Sequence, residues 1–172
     1  MTSELRVDAI KTTDGTEVMS FNSDGSINQD NKIAFEYGLA SDFTMTTGVW
    51  TVVALDTKRF EYGGDNFNTT NNRFVAPRAG LYMFSAQVQW KNATTSGGYN
   101  YAGLWKNGNA HRYFTGARIS SQAFNSDYTQ AGSVLMDLAV NDYVQLAAYQ
   151  NSSSPVLSSG GLRTHLSGYF VG

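Results

Sequence analysis

The sequence predicts an all-β protein built as two packed antiparallel sheets. Three observations carry this. The stretch from Tyr82 to Trp90 alternates strictly, with Tyr82, Phe84, Ala86, Val88 and Trp90 at even positions and Met83, Ser85, Gln87 and Gln89 between them. That is the period of a strand with one face in a core. Similar segments recur between clusters of Gly, Asn and Ser, and no segment of useful length has a helical period. Aromatic residues make up 13% of the chain, in keeping with the preference of strands for Tyr, Phe and Trp.

Residues 1–31 are polar and poor in large apolar side chains. They hold two turn signals, Asp14-Gly15-Thr16 and Asp24-Gly25-Ser26, spaced ten residues apart. Leu5, Val7 and Ile10 precede the first turn, and Val18, Met19 and Phe21 lie between the two. The segment reads as a short β-rich arm with too few apolar groups for a core of its own. It is expected to pack against copies of itself or another protein, and a partly disordered tail is the alternative.

Residues 32–172 read as the head. Ile33–Leu39 and Val49–Leu55 are early strands. Pro77 lacks an amide donor and belongs at the start of the long strand, and Gly80 sits where the backbone must bend. After the loop Asn92–Gly98, Tyr99–Lys106 runs into Asn107-Gly108, a strong hairpin turn. Arg112–Ile119 is a further strand. Gly132–Val140 alternates through Val134, Met136, Leu138 and Val140; Asn141-Asp142 turns the chain into Tyr143–Gln150. Asn151–Gly161 reads as a Ser/Gly loop carrying Pro155, and Leu162–Val171 closes the chain. About eight to ten strands without helices favour a two-sheet jelly-roll sandwich.

Composition narrows the function. A chain of 172 residues is one domain with a short appendage, and a domain of about 150 residues buries roughly 70% of its unfolded surface. With no cysteine, disulfides and thiolate metal sites are excluded. A net charge of −2 leaves no basic excess for nucleic acid. Charged residues are 15% of the chain against about 25% on average, so the surface is polar but uncharged, suited to carbohydrate contact or tight subunit packing. No stretch approaches the ~20 apolar residues of a membrane span. The N-terminus has neither a basic nor an apolar leader region, so synthesis without a signal peptide and release by lysis are expected.

The ordered motifs also carry a resemblance. Phe74, then five residues on Gly80-Leu81-Tyr82, then Phe84 resembles the signature of the complement C1q globular-head family, whose trimeric jelly roll is shared with the tumour-necrosis-factor family. Ala34-Phe35, Leu104-Trp105-Lys106-Asn107-Gly108, Leu135 with Leu138, Asn141-Asp142 with Val144, and Ser167-Gly168-Tyr169-Phe170 are similar to further pieces of that family in order. Ser3-Glu4-Leu5-Arg6-Val7-Asp8 with a following Asp-Gly-Thr is similar to the N-terminal arms of structural proteins of marine bacteriophages. Together the resemblances imply a homotrimeric protein on the virion surface. The leading expectation is a non-enzymatic tail-fibre or receptor-binding tip. A capsid decoration protein gripping the shell through its arm is the second, and a soluble carbohydrate-binding lectin the third.

The catalytic inventory is thin. His111 and His165 are the two histidines, and no serine lies in a nucleophile-elbow pattern. Asp137 and Asp142 read as solvated turn charges rather than an acid–base pair. No cofactor is expected. Calcium is a minor alternative, with ligands from Asp65-Asn66 beside Gly63-Gly64 or from Asp127 after Asn125. The remaining candidate is a surface. Tyr99, Tyr101 and Tyr113 are expected around the Asn107-Gly108 turn as a binding face for a host glycan or protein, with Trp105 assigned to the core. Leu5, Val7, Ile10, Val18 and Phe21 are the attachment contacts of the arm to other virion proteins.

Overall fold

The computed structural model describes residues 7–28, 32–91, 98–114, 117–118, 127–151, 156–160 and 163–172. Residues 7–28 form a three-stranded antiparallel sheet of β1 (Ala9–Lys11), β2 (Glu17–Phe21) and β3 (Ile27–Asn28). Its two turns have the same construction. The amide of Thr16 donates to Asp14 Oδ1 at 3.0 Å, and that of Ser26 to Asp24 Oδ1 at 2.8 Å. Gly15 and Gly25 take φ of 87° and 83°, a region glycine enters without steric cost.

The head begins with β4 (Ala34–Gly38), β5 (Phe43–Thr44), β6 (Thr51–Val52) and β7 (Thr57–Tyr62). It continues through β8 (Phe67–Asn68), β9 (Arg73–Val75), β10 (Gly80–Lys91), β11 (Tyr99–Lys106), β12 (Asn109–Tyr113) and β13 (Ala117–Arg118). The last strands are β14 (Tyr128–Leu138), β15 (Tyr143–Gln150), β16 (Val156–Leu157) and β17 (His165–Phe170). One sheet is centred on β10, which pairs with β14 along its whole length and with β17 and β16 on its other edge. β4 and β7 extend it beyond β17, and β5 beyond β16. The other sheet runs β12-β11-β15-β9-β8, with β13 against β11 and β6 against β15.

The core lies between the two sheets. Tyr82, Phe84, Ala86, Val88 and Trp90 are all buried, as the alternation requires, and meet Leu104, Val144 and Leu146 of the second sheet within one apolar cluster. Phe35 stacks on Phe74 with ring centroids 4.7 Å apart, and Phe74 meets Phe84 edge-on at 5.7 Å. Two glycines answer to close packing, Gly168 against this stack and Gly80 against the chain's last residues. A Cβ on Gly168 would stand 2.8 Å from the rings of both Phe35 and Phe84, and one on Gly80, whose φ is 139°, would stand 2.6 Å from Gly172 O. At one end of the core the apolar filling gives way to a polar relay. Trp90 Nε1 donates to Gln130 Oε1 at 2.9 Å, and Gln130 Nε2 donates to Asn100 O at 2.9 Å. The relay ties both sheets together and satisfies groups that would be costly to bury unpaired.

Several elements differ from the sequence reading. β14 starts at Tyr128, before Gly132, because its pairing with β10 runs on to Trp90; the ring of Phe114 packs where a Cβ on Gly132 would be. Val140 lies in the following turn and is exposed. Of Val49–Leu55 only Thr51–Val52 is strand, although Val53 and Leu55 are buried. The stretch Arg112–Ile119 is divided between β12 and β13, and Ile119 lies outside the described residues. Within the expected Ser/Gly loop, β16 pairs with β10 and buries Leu157; Pro155 lies outside the described residues.

Candidate functional site

On β11 the even positions Asn100, Ala102 and Leu104 face the core, so Tyr99, Tyr101, Gly103 and Trp105 share the outward face. Trp105 is therefore not a core residue, contrary to expectation. Tyr149 lies opposite Tyr101 on β15, and Tyr113 opposite Gly103 on β12. Trp50, just ahead of β6, forms the hub of this face. Its ring lies 5.3 Å from Tyr113, 5.6 Å from Tyr149, 5.8 Å from Trp105 and 6.5 Å from Tyr101, centroid to centroid. The rings of Tyr99 and Tyr101 are nearly parallel, with centroids 6.0 Å apart. Gly103 keeps β12 close, since a Cβ there would come within 2.5 Å of Arg112 O.

These rings border an open cleft of about 530 Å³ lined by Trp50, Tyr99, Tyr101, Tyr113, Phe114, Tyr149 and Asn151. Among the described residues, no carboxylate, amine or guanidinium lines it. Asn151 fixes one rim, donating its amide to Tyr99 O at 3.1 Å while its side chain accepts the Tyr99 amide. The structure thus brings Tyr99, Tyr101 and Tyr113 together, but in mid-sheet rather than at the Asn107-Gly108 turn. Sequence reasoning missed Trp50 and Tyr149, which reach the cleft only through pairing of β15 with β6 and β11.

The Asn107-Gly108 turn is instead held by the neighbouring turn. Asn107 Nδ2 donates to Asp142 Oδ1 at 2.7 Å, and the Tyr143 amide donates to Asn107 Oδ1 at 2.9 Å. Lys106 Nζ stands 2.9 Å from Asp142 Oδ2. The Asn107 side chain, with Lys106 and the Ala139 amide, holds the Asp142 carboxyl down at about 2. Asp142 is a structural clamp, with both oxygens occupied.

The opposite sheet presents a different outward face. Leu135, Met83, Tyr169, Ala34 and Tyr62 stand in one register row across β14, β10, β17, β4 and β7. Leu135, Tyr169 and Tyr62 are 50%, 52% and 60% exposed. The next row is polar, with Ser133 Oγ donating to Ser85 Oγ at 3.1 Å and Ser167 Oγ to Ser85 O at 3.2 Å. His165 lies half-buried on this face and His111 is exposed on β12.

In the arm, Val7, Ile10 and Phe21 are exposed and Val18 is half-buried; Leu5 lies outside the described residues. Ile10 pairs with Met19 and Phe21 with Ile27. Val18 and Met19 border a second cleft of about 570 Å³ that reaches Ala34, Tyr62 and Tyr169 of the head.

The loop considered for calcium is occupied by protein contacts. Lys58 Nζ lies 3.3 Å from Asp65 Oδ1, and Asn66 Nδ2 donates to Gly63 O at 2.9 Å. Arg163 lies 3.7 Å from Asp127, and Asn125 is outside the described residues. No group of three or more potential metal ligands occurs among the described residues. Nor is any helix among them long and apolar enough to cross a membrane.

Comparisons with known proteins agree with this architecture. The globular domain of zebrafish complement 1qA is 12% identical with a TM-score of 0.58, covering 82% of this chain and 98% of that one. Eiger TNF from S. frugiperda is 8% identical with a TM-score of 0.62, covering 83% and 94%. Murine APRIL is 12% identical with a TM-score of 0.58, covering 81% and 99%. At these identities the likeness is one of fold. Among curated proteins, the phage-like element PBSX protein XkdV of Bacillus subtilis (strain 168) is 32% identical over 94 residues, 52% of this chain. The match spans 14% of that relative's length. The C1q domain model matches residues 34–171, from β4 to the end of the last strand, and the chain belongs to the C1q domain family.

Proposed function

We propose that this protein is a non-enzymatic, homotrimeric structural component of a phage particle. Residues 1–31 are its attachment arm, and residues 32–172 are a head displayed as a tail-fibre or receptor-binding tip toward the host surface. The observation that carries the reading is the apolar row Leu135-Met83-Tyr169-Ala34-Tyr62 on the outward face of the β10 sheet. A row of this kind is covered when a second copy docks on it, and a heterologous contact that closes after three copies gives a compact ring. Similarity to a phage-element protein supports the particle assignment. The exposed Ile10, Phe21 and Ile27 of the arm support attachment, since such a small sheet gains stability by packing on a partner.

The test is location. Particles purified from infected cells and labelled with gold-conjugated antibody against the head should carry label at the tail ends. Label spread over the capsid would make the protein a head decoration instead. Absence of the protein from washed particles would overturn the assignment to the virion.

A further inference from the structure

We infer that the aromatic cleft around Trp50 is a binding site for an uncharged hexopyranose glycan. The inference rests on the reading of the head as the part that meets the host, and gives the ligand class of its outward β11–β15 face. Three features point to this chemistry. The cleft holds about 530 Å³, within the range of small-molecule sites. Its walls include rings tilted by 30° to 38° to Trp50 rather than one flat surface. Such rings offer apolar faces to the C–H side of a sugar, while phenol hydroxyls meet its hydroxyls. Among the described residues the lining carries no formal charge, so a carboxylated or phosphorylated sugar would lose water there without gaining a counter-charge.

A second copy of the chain is the competing occupant of an aromatic surface. An apolar row with exposed Leu135 and Tyr169 lies on the other sheet, so self-association has a separate face to use. The cleft also keeps a hydrophilic rim: Tyr113 is 54% exposed, and Asn151 is fixed by backbone pairing with Tyr99. An apolar subunit seal would not need these groups in water.

The full-length chain should be titrated with lactose and with cellobiose, following tryptophan fluorescence and ligand-observed saturation-transfer NMR. At least one disaccharide should give a saturable response in the millimolar range, the affinity of a shallow site. Glucuronic acid at the same concentrations should give none. Trp50→Ala should weaken binding by roughly tenfold or more, and Trp50→Phe by less, because a ring face remains. Gln87→Ala, on the other sheet, should bind as the unchanged protein does. Thermal melting of each variant separates loss of binding from loss of fold. Absence of a saturable response to both neutral sugars would overturn the inference, as would unchanged binding by a folded Trp50→Ala variant. A change in oligomeric mass on Trp50→Ala, without any sugar response, would assign the cleft to a subunit contact instead. Because sugar binding is read on the isolated protein, its failure leaves the particle location a separate result.

Discussion

Asn107 and Asp142 lie 35 residues apart in sequence, and the side-chain amide of the first donates to a carboxylate oxygen of the second at 2.7 Å. Both belong to tight turns, and Asn107 and Asn141 take φ of 52° and 68°. The pair joins the β11–β12 hairpin to the β14–β15 turn, so two short motifs read separately from sequence form one clamp. Asp142→Ala should cost about 1.5–3 kcal/mol, the range for hydrogen bonds to a charged group, measured by urea unfolding.

The same clamp sets a pH dependence. The folded Asp142 carboxyl is held at about 2, below the ordinary 3.8. The folded state therefore binds its proton less readily than the unfolded chain. The stabilisation is fully present above the ordinary value and is lost as pH falls through about 2. Melting temperature should drop between about pH 4 and pH 2, and Asp142→Asn should flatten that part of the profile. An unchanged profile in the variant would remove Asp142 as its source.

The aromatic stack makes a second set of measurements. Phe84→Ala should cost about 3–5 kcal/mol. Gly168→Ala should cost about 1–3 kcal/mol, because the added methyl collides with Phe35 and Phe84. Gln87→Ala and Gln89→Ala, on the outward face, should cost under about 1 kcal/mol, although Gln87 donates to Arg163 O at 3.2 Å. Equal costs for the two faces would contradict the assignment of the core.

Much of this fold is legible in sequence where one face is buried and the other wet. β10 alternates cleanly along its length, and the boundaries of β11 and β15 match the pattern closely. The short edge elements are not legible. β7 reads Thr-Lys-Arg-Phe-Glu-Tyr with most side chains exposed, so no alternation marks it, and its strand form comes from pairing with β4. β16 is two residues long, and its order is imposed by β10 and β5. The aromatic cleft was half legible. Tyr99 and Tyr101 announce a shared face by their spacing, whereas Trp50 joins them from a loop 49 residues away from Tyr99, through tertiary pairing alone.

The polar relay across the core should be intolerant of deletion. Gln130→Leu strands Trp90 Nε1, costing about 1–3 kcal/mol if left unsatisfied. Trp90 emission should shift in the native state as its acceptor is lost. Unfolding energy within about 0.5 kcal/mol of the unchanged protein would mean that the relay is replaced by other partners.

Removing residues 1–31 should leave the head folded. The core cluster begins at Ile33 and takes no residue from the arm. A chain starting at Lys32 should melt within a few degrees of the full chain and fail to join particles. Loss of cooperative melting would place the arm within the folding unit.

Mass in solution tests the central claim most directly. Light scattering on the full chain at micromolar concentration should give about 56 kDa, three copies of 18.8 kDa. Replacing two exposed residues of the apolar row, Leu135→Glu with Tyr169→Glu, should leave a folded chain of 18.8 kDa. A stable monomer of the unchanged protein, or a trimer that survives both substitutions, would contradict the account.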